Sequence, residues 1–272
     1  MILRTHRPSF PLDQFIENFV YHSGFTSPHS KDRMFPDGSV YMVIDLTESP
    51  KNVYENSTLK VLESYKYGWL SGVKKDYLTF DSANNSDMFV VQFKPGGTVP
   101  FFDFPINEVS GKVVQADLIL GNGFLSFREQ LLEADSPTKK FIVADNFFKS
   151  LSKTFTEPDP SIRFALDQLT SDSCNLTIAE IRQKIGYSHK HFIHLFEKQV
   201  GLTPKYFSRI IKFQKVLVEI GNKKNLNWSN LALELGYYDQ AHFINDFKKF
   251  SGINPTTYIQ EKGEFINYIP ID

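Results

Sequence analysis

The chain has 272 residues, of which 41% are hydrophobic and 15% aromatic, and this is enough apolar material for two packed domains. The single cysteine, Cys174, excludes an intramolecular disulfide framework and a cysteine-rich metal site, and it agrees with a reducing compartment. The first residues lack the apolar run of a signal peptide, and no stretch approaches the ~18 apolar residues of a membrane span. We therefore expect a cytoplasmic protein with no membrane partner.

The formal net charge of −1 is unevenly distributed along the chain. Residues 160–262 carry 14 lysines and arginines against 9 aspartates and glutamates, together with four histidines. Residues 1–159 carry 16 basic against 20 acidic residues. A basic half joined to an acidic half favours a polyanionic partner for the C-terminal half alone.

The first hundred residues alternate between polar and apolar positions and are interrupted by turn signals, which predicts β structure. Several short strands at this spacing favour a sandwich or a small barrel. The turn signals are Pro36-Asp37-Gly38, Ser49-Pro50, Asn84-Asn85 and Pro95-Gly96-Gly97. The predicted strands are Met34–Phe35, Ser39–Leu46, Lys66–Leu70, Tyr77–Phe80 and Met88–Phe93.

Two helices are predicted after Pro105, at Phe124–Glu133 and at Thr138–Phe155. Both have apolar residues three or four positions apart, which places them on one helix face. The stripe of the second helix either packs on the core of its own domain or forms a dimer interface, and the sequence leaves both alternatives open. The stripes consist of Phe124, Phe127, Leu131 and Leu132 in the first helix, and of Phe141, Ala144, Phe148, Leu151 and Phe155 in the second.

A linker is predicted at residues 156–160, where two prolines with acidic neighbours end one helix and begin the next. We place the domain boundary at about residue 157. The predicted domains are 1–157, 158–262 with two helix-turn-helix units at about 161–204 and 221–258, and a C-terminal tail at 263–272.

The C-terminal half is predicted to be entirely helical. Thr177 with Glu180 forms a capping box, Gly186 ends that helix, and Ser188 and Asp239 are N-caps. The predicted helices are Ile162–Leu169, Thr177–Ile185, a helix that follows Ser188, Lys205–Ile220, Ser229–Leu235, Gln240–Phe250, and a last one from Asn254-Pro255 to Lys262.

One segment of this half occurs twice. Residues 188–207 return 51 positions later as residues 239–258, and seven of the twenty aligned positions are identical. A duplicated helical unit at this spacing predicts two helix-turn-helix motifs and hence a DNA partner. The identical pairs are His191/His242, Phe192/Phe243, Ile193/Ile244, Phe196/Phe247, Lys198/Lys249, Gly201/Gly252 and Pro204/Pro255.

The duplicated phenylalanines lie four residues apart on one helix face, so we predict that they form the core. The opposite face is then the one that contacts DNA, mainly through its N-terminal turn. Asn and Gln side chains can pair with adenine, Lys with guanine, and Ile with thymine methyl groups. The predicted DNA-binding residues are His189, Lys190, Ile193, His194, Gln240, Ala241, Ile244, Asn245 and Lys248, with Glu197 on the same face.

Residues 161–262 resemble the DNA-binding domain of the AraC/XylS family of bacterial transcription regulators. The resemblance rests on Ile185–Ser188, Phe192 with Phe196, Gly201–Pro204, Leu235–Tyr237, His242-Phe243, Phe247–Lys249 and Gly252–Tyr258. It implies sequence-specific binding of double-stranded DNA and regulation of transcription. The chain departs from the family pattern at His194 and Asn245, where relatives often have Arg, and at Glu197, where they commonly have Lys or Arg.

Residues 8–155 resemble the cupin-like sensor module that precedes this domain in many such regulators, through Pro11–Phe19, Phe35–Asp45 and Val91–Gly97. The resemblance implies an α+β fold, with a jelly-roll and flanking helices in front of an all-α domain. It implies a pocket without naming a ligand. We expect a small-molecule effector that acts through the 138–160 segment, and we leave open a homodimer and a contact with RNA polymerase.

Two rival classes of function are an enzyme and a dimerisation module. A metal-dependent cupin enzyme needs a His-x-His pair and further ligands, whereas residues 1–159 hold only His6, His22 and His29. A DNA-repair methyltransferase needs several cysteines. We therefore expect no catalytic residues, cofactor or metal, and we interpret His189, His191 and His194 as surface or phosphate-contacting residues. The second rival is a pure dimerisation module, which a filled barrel would favour over an effector sensor.

Overall fold

The computed structural model describes residues 1–82, 85–152, 157–171, 176–222, 227–263 and 265–271. Two antiparallel sheets with flanking helices are followed by a helical region. The strands are β1 Ile2–His6, β2 Ile16–Ser23, β3 Lys31–Met34, β4 Val40–Asp45, β5 Lys51–Tyr54, β6 Val61–Tyr65, β7 Gly68–Ser71, β8 Leu78–Asp81, β9 Asp87–Phe93, β10 Val113–Gln115 and β11 Tyr268–Ile271.

The six-stranded sheet has the order β1-β2-β9-β4-β7-β10, and the five-stranded sheet has the order β11-β3-β8-β5-β6. The sequence predicted the strands now labelled β3, β4, β7, β8 and β9, although β3 begins earlier and ends before Phe35. It missed the others because they show little alternation. β1 and β6, for example, are exposed along most of their length.

The helices agree with the predicted ones to within a few residues, and the structure adds α1 before them. They are α1 Ala116–Leu120, α2 Asn122–Glu133, α3 Pro137–Leu151, α4 Pro160–Thr170, α5 Ile178–Ile185, α6 His189–Val200, α7 Pro204–Asn222, α8 Trp228–Glu234, α9 Gln240–Ser251 and α10 Pro255–Glu261. None of the helices in the described ranges is long and apolar enough to cross a lipid bilayer.

The apolar stripe of α3 packs on the core of its own domain. Phe141, Ala144 and Phe148 are buried, and the Phe148 ring lies 6.0 Å from Phe19 and 5.7 Å from Phe93. Of the two alternatives for this stripe, the structure therefore shows intramolecular packing. Phe155 lies outside the described residues. In α2, Phe124, Phe127 and Leu131 are buried as expected, whereas Leu132 is 44% exposed.

The segment expected to be a C-terminal tail forms a strand of the N-terminal domain instead. β11 pairs antiparallel with β3, and the backbone N–H of Phe35 donates to the carbonyl of Asn267 at 2.9 Å. β11 is an edge strand, where Pro270 is tolerated because one side of the strand needs no partner. The chain thus passes from the N-terminal domain through the helical domain and back to the five-stranded sheet.

Candidate nucleic-acid interface

The first helix-turn-helix unit has the caps that the sequence predicted. Thr177 and Glu180 form a reciprocal capping box at the start of α5, and Gly186 ends it in the left-handed conformation with φ +79°. Ser188 then accepts a hydrogen bond from the backbone N–H of His191 at 3.3 Å and starts α6. Because glycine adopts positive φ at no steric cost, the chain can turn within three residues.

The second unit repeats this arrangement with different side chains. Asp239 accepts a hydrogen bond from the backbone N–H of His242 at 2.7 Å and starts α9, which ends at Gly252 with φ +77°. Asn227 caps α8, which starts at Trp228, one residue before the start that the sequence predicted at Ser229. Between the turn glycine and the N-cap, the second unit has one residue more than the first, namely Tyr238.

The duplicated phenylalanines form matching cores, as predicted. The rings of Phe192 and Phe196 lie 5.9 Å apart, and those of Phe243 and Phe247 lie 6.0 Å apart. All four side chains are at most 1% exposed. Burial of the same face in α6 and α9 leaves the opposite face of each helix at the surface.

The structure places the predicted DNA-binding residues on these two surface faces. Ile193, Ile244 and Glu197 are half-buried, and Ile244 packs against the edge of the core. Each helix therefore offers an exposed N-terminal turn with polar side chains and a flanking isoleucine. The exposed members are His189, Lys190 and His194 on α6, and Gln240, Ala241, Asn245 and Lys248 on α9.

Tyr238 was not among the residues predicted from the sequence, and it lies 87% exposed directly before the N-cap of α9. Its signal is the inserted residue in the second turn. Tyr187 and Tyr237 occupy corresponding positions, because the ring of each contacts the duplicated histidine of its own unit. The ring centroids lie 4.7 Å apart for Tyr187 and His191 and 5.4 Å apart for Tyr237 and His242.

An ion pair between the half-buried Arg209 and the buried Asp246 ties α9 to α7. Arg209 donates from Nη2 to Asp246 Oδ1 at 2.6 Å and from Nε to Asp246 Oδ2 at 3.1 Å. This hydrogen bond raises the pKa of Arg209. The position in α6 that corresponds to Asp246 is Leu195, so the first unit has no counterpart of the pair at that position.

The helix between the two units, α7, has 19 residues and is therefore about 28 Å long at 1.5 Å per residue. This is close to one turn of B-DNA, ~34 Å, which separates successive major-groove segments on one face. Helix α7 contacts both α6 and α9.

The second candidate site lies between the two sheets. One face of the six-stranded sheet is covered by helices of the N-terminal domain, and Met42, Ile44 and Phe89 on this face are completely buried. The opposite face is partly accessible, as at Tyr41 and Val43. We call the region around Asp37, Tyr41, Ser71, Gln92 and Tyr268 the inter-sheet space.

Polar groups of both sheets meet in the inter-sheet space. Asp37 accepts hydrogen bonds from the Tyr41 hydroxyl and from the backbone N–H of Ser39, while Gln92 donates to the Tyr41 hydroxyl at 3.0 Å. Burial raises the pKa of Asp37 and also the pKa of Tyr268, which the nearby Asp37 and Asp32 raise further.

Ser71 adds an unsatisfied group to the inter-sheet space. It pairs directly opposite Tyr41, so the two side chains share a face of the sheet. Ser71 is 3% exposed, and its hydroxyl has no hydrogen-bond partner among the described residues.

Within the described ranges, no three His, Cys, Asp or Glu side chains come together in a way that could hold a metal ion. His189, His191 and His194 are all exposed on α6. Cys174 lies outside the described residues.

Comparisons with known proteins separate the same two regions. Residues 165–261 match a family described as a helix-turn-helix domain, and residues 4–115 match a family described as a domain of unknown function, DUF6597. An uncharacterized HTH-type transcriptional regulator of Haemophilus influenzae is 26% identical over 81 residues, which are 30% of this chain and 27% of that protein.

Among solved structures, the chain is similar to ToxT from Vibrio cholerae. The structure of ToxT bound to (E)-4-(8-methylnaphthalen-1-yl)but-3-enoic acid is 12% identical, covers 96% of this chain and 99% of that chain, and has a TM-score of 0.46. The structure of wild-type ToxT with a bound unsaturated fatty acid is 12% identical, covers 89% and 94%, and has a TM-score of 0.44.

Proposed function

We infer that the protein is a sequence-specific DNA-binding regulator of transcription. Residues 165–261 match a helix-turn-helix family, and they resemble the DNA-binding domain of the AraC/XylS regulators. The observation that carries the inference is the duplicated unit. Two helices with the same buried phenylalanine pair, separated along the chain by the 19-residue α7, expose two different polar faces. A monomer of this kind contacts two successive major-groove segments whose sequences differ.

The DNA contacts are assigned to the exposed faces of α6 and α9. Lys190 and Asn245 are the side chains best suited to pair with guanine and adenine respectively. The corresponding positions in the other unit are Ala241 and His194, so each unit has its own base preference. Lys248 and the histidines serve contacts with the phosphate backbone, which add affinity without sequence preference.

Selection of bound sequences from a random DNA pool tests this function. The expected result is an asymmetric site with two different half-sites. Asn245→Ala is expected to relax the preference at one or two base pairs by about 1–3 kcal/mol. Gln260→Ala, at an exposed residue of α10 that is not among the predicted DNA-binding residues, is the matched control and is expected to leave the site unchanged. Equal loss of affinity on all sequences would show that Asn245 does not contact a base.

We further propose that the N-terminal domain is a cupin-like sensor that binds an effector in the inter-sheet space, without catalysis. The hydrogen-bond donors that lower the pKa of Asp37 are the hydroxyls of Tyr41 and Ser39 and backbone amides, and no described cation is among them. Asp32, Tyr41 and Tyr268 place a further carboxylate and two aromatic rings nearby. A small molecule with an amine group fits this chemistry, because carboxylates and aromatic faces both attract cations.

A matched set of ligands tests the effector class. Thermal unfolding is measured with 2-phenylethylamine, 2-phenylethanol and phenylacetate, which differ only in the polar group. The amine is expected to raise Tm, and the rise is expected to disappear in Asp37→Asn. A rise with phenylacetate alone, or equal rises with all three, would contradict the amine assignment.

The remaining expectations stay proposals. They are a cytoplasmic location in a bacterium, which the bacterial relative supports, and the transmission of the effector signal through the 138–160 segment. A homodimer and a contact with RNA polymerase also remain predictions.

A further inference from the structure

The two domains share one continuous hydrophobic core. We call the part of the N-terminal domain that contacts the helix-turn-helix units the docking face, and it contacts each unit in two places. It consists of Arg33, Phe35, Gly38, Val73, Tyr77 and Ile106.

In the first unit, the docking face contacts the end of α6. A Cβ placed on Gly201, the residue that ends α6, would lie 2.5 Å from a methyl carbon of Val73 and 3.5 Å from one of Ile106. Further along, Gly38 approaches the ring of Phe207 so closely that a Cβ would lie 2.7 Å from it. The first contact surface is therefore apolar and leaves no room for another methyl group.

In the second unit, the docking face contacts the end of α9. A Cβ on Gly252 would lie 2.7 Å from Arg33 Nη1 and 2.7 Å from the ring of Tyr77. Arg33 stacks on Tyr77 at 4.2 Å and donates to the carbonyl of Ser251 at 3.3 Å, which satisfies an acceptor in the last turn of the helix. The ring of Phe35 lies 5.8 Å from Tyr258.

These contacts fall on equivalent positions of the duplicated segment. Gly252 lies 51 residues after Gly201, and Tyr258 lies 51 residues after Phe207. One surface of the N-terminal domain thus contacts the same two positions in both copies. Because both copies contact this one surface, it constrains their relative position in addition to their shared contacts with α7.

The connection between the copies is held at the same surface. Gln214 of α7 donates to the carbonyl of Pro36 at 2.7 Å, and the ring of Phe213 lies 5.8 Å from Phe35. The hydroxyl of Tyr206, at the start of α7, donates to the carbonyl of Lys75 at 3.0 Å. The second unit is additionally attached through β11, because Tyr258 donates to the carbonyl of Ile266 two residues before that strand.

The docked arrangement leaves the predicted polar DNA-binding side chains exposed and the two isoleucines half-buried, so it does not cover the predicted DNA-binding faces. We propose that the docking face fixes the position of α6 relative to α9 and thereby sets the half-site spacing that the protein accepts on DNA. This proposal rests on the proposed DNA-binding function. It also gives the N-terminal domain a role that does not require it to block DNA.

Strand β3 has residues at both the docking face and the inter-sheet space. Arg33 points toward α9, whereas its neighbours Asp32 and Met34 lie on the other face of the strand, where Met34 accepts a hydrogen bond from the Tyr268 hydroxyl at 3.3 Å. A change in the inter-sheet space that shifts β3 therefore shifts the residue that holds the end of α9. On this model an effector acts by changing the preferred spacing.

The test uses the full chain and DNA sites selected by the wild-type protein, with one base pair inserted or removed between the half-sites. Gly252→Ala is compared with Gly186→Ala. Both glycines end a helix with positive φ, +77° and +79°, so alanine costs similar backbone strain at each. Only Gly252 faces the docking face, since a Cβ on Gly186 meets nothing within 4 Å.

The measured quantity is the ratio of the dissociation constants for altered and original spacing. In Gly252→Ala this ratio is expected to fall at least about fivefold, the lower end of coupling between linked sites. In Gly186→Ala it is expected to stay at the wild-type value. Equal ratios in both variants would overturn the proposal, because strain alone would then explain the effect.

Arg33→Met gives a second route to the same result. It removes the hydrogen bond to Ser251 and the charge while it keeps an apolar side chain of similar length. The ratio is expected to fall as in Gly252→Ala. Hydrogen exchange of the last turn of α9 is measured without DNA, and Arg33→Met is expected to speed it. Unchanged exchange together with an unchanged ratio would contradict the docking role.

The exchange experiment also separates the two proposals. If the random pool yields no bound sequence, the DNA-binding function fails, and faster exchange in Arg33→Met still shows that the docking face holds α9. If a site is found but its spacing profile is the same in all variants, the DNA-binding function stands and the proposal on spacing fails.

Discussion

The two helix-turn-helix units have the same backbone plan and differ in chemistry at corresponding positions. The N-cap is Ser188 in one and Asp239 in the other, and Leu195 corresponds to Asp246. The first unit meets apolar side chains of the docking face, whereas the second meets Arg33 stacked on Tyr77. The two copies therefore share the residues that build a unit, and they differ on the candidate DNA-binding surface and on the surface that meets the N-terminal domain.

The second unit depends more on polar contacts than the first. Its helix α9 is held by Arg209 and by Arg33, and the chain then continues into β11. The first unit is held by methyl and aromatic contacts around Gly201 and Phe207. This difference between the units can be tested by substitutions that remove a core residue common to both units or that give one unit the residue of the other.

The largest effect is expected from removal of a shared core residue. Phe243 is fully buried between Trp228, Tyr237 and Phe247, and its counterpart Phe192 is 1% exposed. Phe243→Ala and Phe192→Ala are each expected to lower the free energy of unfolding by about 3–5 kcal/mol.

Urea denaturation followed by circular dichroism measures both core variants. The exposed Asn146→Ala serves as the control and is expected to stay within about 0.5 kcal/mol. A loss below about 1 kcal/mol in one variant alone would show that the two cores are not equivalent.

A smaller effect is expected when Asp246 takes the residue of the first unit. Asp246→Leu leaves Arg209 without its carboxylate, and we expect a loss of about 1.5–3 kcal/mol, the range for hydrogen bonds to charged groups. Adding Arg209→Met removes the unpaired cation and is expected to restore part of the stability. The double-mutant cycle is measured by urea denaturation, and additive losses would show that the pair contributes no coupling.

Lys74, next to the Val73 contact with the first unit, makes that side of the docking face sensitive to pH. Burial lowers the pKa of Lys74 to about 7, and its Nζ donates to the carbonyl of Lys112 at 2.8 Å. Between about pH 7 and its ordinary pKa of 10.5, the unfolded chain binds a proton that the folded chain has released. The folded state is therefore stabilised as pH rises through this window, and the penalty for protonating Lys74 is fully present below it.

Comparison with Lys74→Met isolates this effect. The wild-type free energy of unfolding is expected to rise with pH relative to the variant, by at most about 1.4 kcal/mol per pH unit for one proton. Parallel pH profiles from pH 7 to 10 would show that Lys74 keeps its proton in the folded state.

The smallest effect on stability is expected from exchanging the N-caps. Asp239→Ser and Ser188→Asp are each expected to change the free energy of unfolding by less than about 0.5 kcal/mol, because the two residues cap helices equally well. On DNA, a carboxylate at the helix N-terminus repels phosphate, so Asp239→Ser is expected to tighten binding about two- to fivefold and Ser188→Asp to weaken it similarly. Filter binding at one salt concentration measures both, and equal shifts of the same sign would contradict this explanation.

Short-range patterns in the sequence predicted almost all of the helices in the C-terminal domain. Thr177 with Glu180, the N-caps Ser188 and Asp239, and the left-handed Gly186, Gly201 and Gly252 each act within four residues of the chain, so the sequence predicts them directly. The buried phenylalanine faces follow from helical spacing, and the exposed candidate DNA-binding faces follow by subtraction.

The sheets were less predictable. Strands β3, β4, β7, β8 and β9 have clear alternation or flanking turns, whereas β1 and β6 are mostly exposed and carry little pattern. The inter-sheet space could not be foreseen because Asp37 precedes β4, Ser71 ends β7 and Tyr268 comes from the far end of the chain. No sequence spacing links these residues.

The duplicated helical scaffold and the side chains that face away from its cores follow from the sequence, because capping and helical periodicity are local interactions. The pairing of the last residues with a strand of the first domain, and the contact of both Gly201 and Gly252 with the docking face, are visible only in the folded chain. These contacts join residues more than 90 positions apart along the chain. Their stability comes from burial and packing between surfaces, which depends on the folded arrangement of both domains rather than on any one segment.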